Sequence, residues 1–238
     1  MNAESTDIFS NALTHPDTGP LLIERSDGHT STTDLGWWLH QYEARPPGDL
    51  AALDWAGPGT AEDIGCCTGR HLAYLAARGI NAHGIDTCEA AIIRARQAGN
   101  RADVADAHTY TPPQPVNSVI ALGGGPGIAG TLAAVPDFLR HLASWLTPGG
   151  QLIVSSVDWT ATADQHRTWV DQATSEGRYP GDVRLRLRHD GQTGDWFDWV
   201  WLDPDTLEKT AEKAGLHVAQ VRRFGPAWYA ATLRRSTP

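Results

Sequence analysis

From residue 60 onward, short apolar runs alternate with longer stretches whose apolar positions recur every three to four residues. "AEDIG" reads as a strand. "GRHLAYLAARG" places Leu72, Leu75 and Ala76 on one helical face and stops at Gly79. "INAHGID" is a second strand, "TCEAAIIRARQAG" a helix ending at Gly99, and "ADVAD" a third strand. "NSVIALG" is a fourth strand that runs into the loop "GGPGIAG". "PDFLRHLASWLTPGG" carries Phe138, Leu142 and Trp145 at i, i+4 and i+7, with its stop expected at Pro148, and "QLIVSSVD" is a buried strand. Strand and helix patterns in this alternation imply βαβ units: a doubly wound α/β fold, with a parallel sheet covered by helices on both faces.

The flanks follow other rules. Residues 1–20 are polar and without a period, and read as flexible or as a loose cap. "LLIERSDGHT" is a short strand followed by a turn at Asp27-Gly28. "TDLGWWLHQYE" is a short helix with Thr33 or Asp34 near its N-cap, before "RPPG" and "AGPGT" punctuate the chain. Toward the C-terminus, "GDVRLRLRHDGQTGDWFDWVWLD" reads as two strands joined near Asp190-Gly191. "DPDTLEKTAEKAG" is a helix capped by Asp203, with Pro204 in its first turn and Gly215 beyond its end. "LHVAQVRRFG" and "AWYAATLRR" are two strands tightly linked at Gly225-Pro226. No linker and no repeat interrupts the chain, so a single domain over residues 1–238 is expected.

Composition narrows the function classes. The chain has 238 residues, of which 41% are hydrophobic and 20% charged, enough for a packed core. No apolar run approaches the ~18 residues of a membrane span, and the N-terminus lacks the basic and apolar parts of a secretory signal. The net charge of −9 disfavours binding to a phosphate backbone, so no nucleic-acid partner and no membrane partner is expected. The arginines of "RLRLRH" alternate with Leu185 and Leu187, as on a solvated strand face. Three cysteines, two of them adjacent, make no disulfide framework, and a reducing, cytoplasmic location is expected.

In a doubly wound sheet, ligands bind beyond the carboxyl ends of the strands. The first of these strands exits through "DIGCCTG", where Gly65 and Gly69 allow a sharp turn. Asp86 ends the next strand about twenty residues on, where a carboxylate can accept from both ribose hydroxyls. Asp106 follows the third strand, where an adenine could sit. A nicotinamide dinucleotide requires G-x-G-x-x-G, but the frame from Gly65 has Cys67 at the second glycine and Arg70 at the third.

The spacing Asp63-x-Gly65-x-Cys67-x-Gly69 instead resembles the first motif of the class I S-adenosylmethionine-dependent methyltransferases, which usually has glycine at the last three positions. "HGIDTCEAAIIRAR", "ADVADAHTY", "LTPGGQLIVSSVD" and "AGLHVAQVRRFGPAWYAATLRR" resemble later segments of that family, in its order. The resemblance implies a mostly parallel seven-stranded sheet with an antiparallel last strand, and S-adenosylmethionine as cofactor. It implies that Asp63, Gly65, Cys67 and Gly69 line the methionine end, Asp86 and Thr87 the ribose, and Asp106 and Ala107 the adenine, with Gly123 and Gly124 beneath the sulfonium. It divides the chain into an N-terminal cap segment (1–56), a cofactor-binding core (57–160), an inserted substrate-side segment (161–202) and a closing helix and hairpin (203–238).

Adjacent cysteines are poor metal ligands, since zinc sites space them as C-x₂₋₄-C, and no metal is expected. Cys66 is expected to pack inward. Cys67 can replace glycine if its φ is negative and its Cβ turns from the ligand. Methyl transfer needs alignment of nucleophile and methyl, and a base only for a protonated nucleophile. Asp158, after the fifth strand, and His166, in the segment that follows, stand at suitable heights for one; Tyr179 and His29 are further candidates. Trp37 and Trp38 before the first core strand, Trp199 in the inserted strands and Gly125 in the glycine loop are the candidate acceptor contacts, with aromatic walls suited to a small, partly apolar molecule. Trp199 and Trp201 should share a strand face, with Trp196 on the other. The reading is therefore methyl transfer to a small-molecule acceptor, with specialised metabolite biosynthesis as its expected setting. The alternatives are a nicotinamide-dependent oxidoreductase and a non-catalytic S-adenosylmethionine-binding protein.

Overall fold

The computed structural model describes residues 3–39 and 47–236. Its N-terminal residues depart from the expected loose segment. They form helix α1 (Ala3–Thr14) because Ile8, Phe9, Ala12 and Leu13 fall on one face, and all four are buried. Strands β1 (Leu21–Arg25) and β2 (Thr30–Thr33) follow as a hairpin, turned at Asp27-Gly28 with Gly28 at φ 88°. The expected helix after Thr33 is seen as α2 (Gly36–Leu39), where Asp34 accepts the Gly36 N–H at 2.8 Å. Helix α3 (Pro47–Leu53) leads to the core.

The alternation from residue 60 folds as read. Strands β3 (Thr60–Ile64), β4 (Asn81–Asp86), β5 (Ala102–Val104), β6 (Val116–Ala121) and β7 (Leu146–Val157) pair in parallel, with β3 in the middle. They are linked by α4 (Arg70–Ala77), α5 (Glu89–Gln97) and α6 (Val135–Ser144). One boundary moves: α6 ends at Ser144, ahead of the expected stop at Pro148. The residue before a proline is pushed out of the helical region, and the chain is already extended from Leu146. The register slip between Val116 and Ser118 accommodates the "TPGG" excursion.

Helix α7 (Arg167–Ser175) follows a 3-10 segment, Trp159–His166. Strand β8 (Asp182–His189) turns through Asp190 and Gly191, both at positive φ, into β9 (Gln192–Thr193), and β10 (Phe197–Val200) returns along β8. Leu185 and Leu187 are buried while Arg184 and Arg188 are exposed, as their alternation implies. Helix α8 (Pro204–Lys213) is capped by Asp203, which accepts the Thr206 N–H at 3.0 Å. Strands β11 (Leu216–Phe224) and β12 (Trp228–Arg235) close the large sheet as an antiparallel hairpin, in the order β11-β12-β7-β6-β3-β4-β5.

The N-terminal hairpin and the inserted strands, separate in sequence, make one second sheet of order β10-β8-β1-β2, with β9 paired to β8. Helix α1 seals it against the core: Ile8, Phe9 and Leu13 share a buried cluster with Leu187 from β8 and with Cys67, Cys88 and Ala91 from the core. The outer sheet is thereby fastened to the exits of β3 and β4. None of the described helices is long and apolar enough to cross a membrane.

Candidate functional site

The exits of β3 and β4 meet at one carboxylate. Asp86, 8% exposed at the end of β4, accepts the Cys67 N–H on Oδ2 at 2.9 Å and the Cys88 N–H on Oδ1 at 2.8 Å. Each oxygen keeps a lone pair for a further donor. Burial raises the Asp86 carboxyl above its ordinary value; the two N–H donors oppose that shift, and neighbouring Asp63 adds to it. Asp63 is itself buried at the end of β3. Its Oδ2 has no hydrogen-bond partner, although His71 Nδ1 stands 3.3 Å away.

The turn between them is left-handed three times, at Gly65 (φ 64°), Cys67 (φ 49°) and Gly69 (φ 82°). This corrects the expectation of a negative φ at Cys67. The peptide N–H of Cys67 must face Asp86, and the chain adopts the glycine conformation to do so despite the side chain. A left-handed non-glycine residue costs about 1–2 kcal/mol. The Cys67 thiol is compensated by burial among Leu13, Leu187 and Cys88 under α1, a cluster that a glycine would not reach. Cys66 packs inward as expected, against Leu72, Ile92 and Ala95. Burial pushes both thiols up, so neither is a ready nucleophile or metal ligand. Among the described residues no cluster of three or more His, Cys, Asp or Glu side chains is placed to hold a metal.

These facts give a prediction of unusual order. Cys67→Gly should leave unfolding free energy within about 1 kcal/mol of the parent, because strain and burial are lost together. Cys67→Ala, which keeps the strain and loses the sulfur, should be the less stable variant. Thermal unfolding of the two decides; an alanine variant clearly more stable than the glycine variant would show that φ is not strained there.

The other expected contacts are less uniform. Thr87 is exposed beside Asp86. Asp106 uses Oδ1 to accept the His108 N–H at 2.9 Å, and Ala107 packs into the main core. Gly123 and Gly124 are both left-handed (φ 69° and 87°), and the Gly123 N–H donates to Ser155 Oγ at 2.8 Å. The loop they open folds back over the β3 turn: Ile128 Cδ1 lies 3.5 Å from the position of a Gly65 Cβ, and the Ile128 carbonyl contacts His108 Nε2 at 2.9 Å. At Gly125 a Cβ would stand 2.7 Å from the Ala121 Cβ, so the position has no room for a side chain.

Two tryptophans border this loop and turn. Trp199 lies across the glycine loop, 3.6 Å from a Gly124 Cβ position and 2.2 Å from that of Gly127. Trp38 carries the Arg70 guanidinium 4.9 Å over its ring, and Thr68 donates its hydroxyl to the Trp38 carbonyl. Trp37 lies in α2, but its side chain falls outside the described residues. Trp199 and Trp201 pack on the same cluster around Trp169, while Trp196 stacks on Arg186, 4.5 Å away. Arg70 was legible only as the residue that spoils a dinucleotide motif. The structure makes it a buried cation at the start of α4, near Gly123 as well as Trp38.

Of the candidate bases, Asp158 is fully engaged. It caps the 3-10 segment through Thr160 and accepts from Arg223 at 2.6 Å. Burial alone would raise its carboxyl, but these donors outweigh it and hold the group below its ordinary value. Tyr179 is likewise engaged, donating to Asp203 at 2.7 Å, and burial lifts its phenol far out of the neutral range. His166 and His29 meet edge to face, ring centroids 4.9 Å apart.

A family model for a methyltransferase domain matches residues 56–221. No curated protein sequence matches the chain. Among solved structures, the chain is similar to a SAM-dependent methyltransferase from Bacteroides fragilis, in complex with S-adenosyl-L-homocysteine. The two are 21% identical with a TM-score of 0.81, over 98% of this chain and 95% of that one. It is also similar to the CcbJ methyltransferase from Streptomyces caelestis (17% identity, TM-score 0.63, 81% and 91% coverage) and to DhpI in complex with SAH (16%, 0.63, 99% and 97%).

Proposed function

Because the chain belongs to the methyltransferase-domain family, we propose that it transfers a methyl group from S-adenosylmethionine to a small, partly apolar acceptor. The observation that carries the cofactor is the Asp86 carboxylate, clamped by the Cys67 and Cys88 N–H groups at the exits of β3 and β4. The residues fit the group. Asp86 retains acceptor capacity for a ribose diol, and the left-handed turn 65–69 lets backbone approach a ligand. When bound, S-adenosylmethionine supplies an electrophilic methyl group on a positively charged sulfur. Arg70 and Trp38 then flank the turn, and Trp199 shields the glycine loop from water.

A small acceptor is supported by the aromatic lining, and by the net charge of −9, which opposes nucleic acid. The three cysteines are unpaired, which supports a cytoplasmic setting. Calorimetry tests the reading. S-adenosylhomocysteine should bind at about micromolar strength, near −8 kcal/mol, and NAD should give no heat. Tight NAD binding without a response to S-adenosylhomocysteine would sink it.

A further inference from the structure

A cavity of about 130 Å³ lies beside the end of β7, between the 3-10 segment, α7 and the N-terminal hairpin. Trp159, Trp169, Trp201 and Val157 wall it, and His29 and His166 stand at its polar side. Its walls are fixed. The Trp159 indole N–H donates to Tyr179 at 2.9 Å and the Trp169 indole N–H to the Pro180 carbonyl at 2.8 Å. Trp169 is also held between Arg25 (4.9 Å) and Arg178 (5.2 Å). The volume suits one ring, since apolar cavities of ~150 Å³ hold a benzene.

The place also suits an acceptor. Val157 ends β7, next to β6, whose exit carries Gly123 and Gly124. In the sheet β7 lies two strands from β3, and Val157 stands at its carboxyl end, three residues beyond the Val154–Ala121 pair, on the end from which the 65–69 turn also leaves. The cavity's polar groups are not equivalent. The Arg25 guanidinium is bound to Asp27 through two contacts, at 2.9 and 2.6 Å. The His166 imidazole makes no hydrogen bond with any described residue; its one ring contact is with His29.

We propose that this cavity receives the acceptor as a single-ring phenol and that the His166 imidazole takes its hydroxyl proton. The proposal rests on the methyltransferase reading and specifies its substrate class. The phenol oxygen forms a bond to the methyl carbon, the carbon–sulfur bond breaks with its electron pair going to sulfur, and the hydroxyl proton passes to His166. A neutral amine would need no base, and an aliphatic hydroxyl is far less acidic than a phenol, whose pKa near ~10 an imidazole can address. Burial, then the charges of Arg25 and His29, hold the His166 imidazole below its ordinary value against the opposing pull of Asp27. On its own segment, the Asp164–Arg167 pair is exposed and bound to itself. The imidazole is therefore in its proton-accepting form at neutral pH.

The test uses the full chain, 4-methylphenol as probe and 4-methylaniline as control. Wild type should bind 4-methylphenol by calorimetry, and Val157→Phe, which fills the cavity, should weaken that binding at least about tenfold while S-adenosylhomocysteine affinity is unchanged. With a labelled methyl donor, wild type should form the methyl ether. His166→Gln should lower kcat by about 10²–10³ with KM within about threefold, the range for loss of a general base. The acidic limb of the wild-type rate profile, with an apparent pKa below the ordinary histidine value of 6.5, should vanish in that variant. Binding of S-adenosylhomocysteine without binding of 4-methylphenol, or equal phenol affinity in Val157→Phe, overturns the acceptor site and leaves the methyltransferase reading standing. An unaltered kcat and pH limb in His166→Gln overturns the base. Failure of wild type to bind S-adenosylhomocysteine at all removes the underlying reading as well.

Discussion

Replacing Asp86 by alanine should weaken S-adenosylhomocysteine binding about a hundredfold, equivalent to ~2.7 kcal/mol, and lower the unfolding free energy by about 2–4 kcal/mol. Both effects come from one carboxylate. In the free protein its oxygens accept the N–H groups of Cys67 and Cys88, and truncation leaves both buried donors without partners. The Cys67 N–H is also what holds its residue at positive φ, so the turn loses the reason for its strain. Asparagine should be little better: it offers one acceptor oxygen, and its amide nitrogen would face the other N–H. The pH dependence follows from the same burial. The Asp86 carboxyl titrates above 3.8 in the folded protein, so folding favours its protonated form, and its ionisation is a destabilising contribution that grows as pH rises through that range. A diol that donates to the carboxylate binds the anion. Affinity should thus fall on acidification earlier than for an ordinary aspartate. Titration calorimetry and denaturant unfolding of the same sample check both parts; an Asp86→Ala protein that binds within threefold of wild type refutes the assigned role.

The parallel sheet was legible because each element announces itself locally. Leu72 and Leu75 on α4, Phe138 and Leu142 on α6, and the Asp203-Pro204 start of α8 are periodic or capping signals within a few residues of one another. The acidic end of β4 and the glycine turn after β3 were legible for the same reason. What escaped is non-local. Residue type at position 67 does not encode φ; the Asp86 carboxylate nineteen residues away sets it. The burial of Ile8, Phe9, Ala12 and Leu13 shows only once Leu187, Cys67 and Cys88 are brought beneath them. Pairing of Leu22 with Arg188 joins two segments that read as separate strands, and the outer sheet exists only through it. The cavity draws Arg25, Val157, His166 and Trp201 from four stretches, so the sequence marked His166 only by its place after the fifth strand and not by the walls around it.

The contact between Trp199 and the glycine loop should show the largest non-additivity in the protein. A Cβ at Gly127 would lie 2.2 Å from Trp199 Cε2 and 2.3 Å from Nε1, closer than real atoms approach, and the φ of Gly127 is not left-handed, so the clash is the whole penalty. The indole cannot step aside freely, because its other side packs with Trp201 on the cluster of Trp169, Val183 and Leu185. Gly127→Ala should therefore destabilise by about 1–3 kcal/mol through overpacking. Trp199→Ala should do so by about 2–4 kcal/mol, toward the lower part of the range for large aromatic truncations because the ring is only half-buried. In the double variant the clash is gone, and the alanine at 127 should add less than about 0.5 kcal/mol to the Trp199→Ala loss. Function should separate along the same line. The loop and Trp199 join the outer sheet to the core on the acceptor side, so Gly127→Ala should reduce turnover at least about tenfold while S-adenosylhomocysteine affinity stays within about tenfold, or ~1.4 kcal/mol. Denaturant unfolding of the four proteins in the cycle supplies the coupling energy. Additive losses would mean that Trp199 does not rest on the loop.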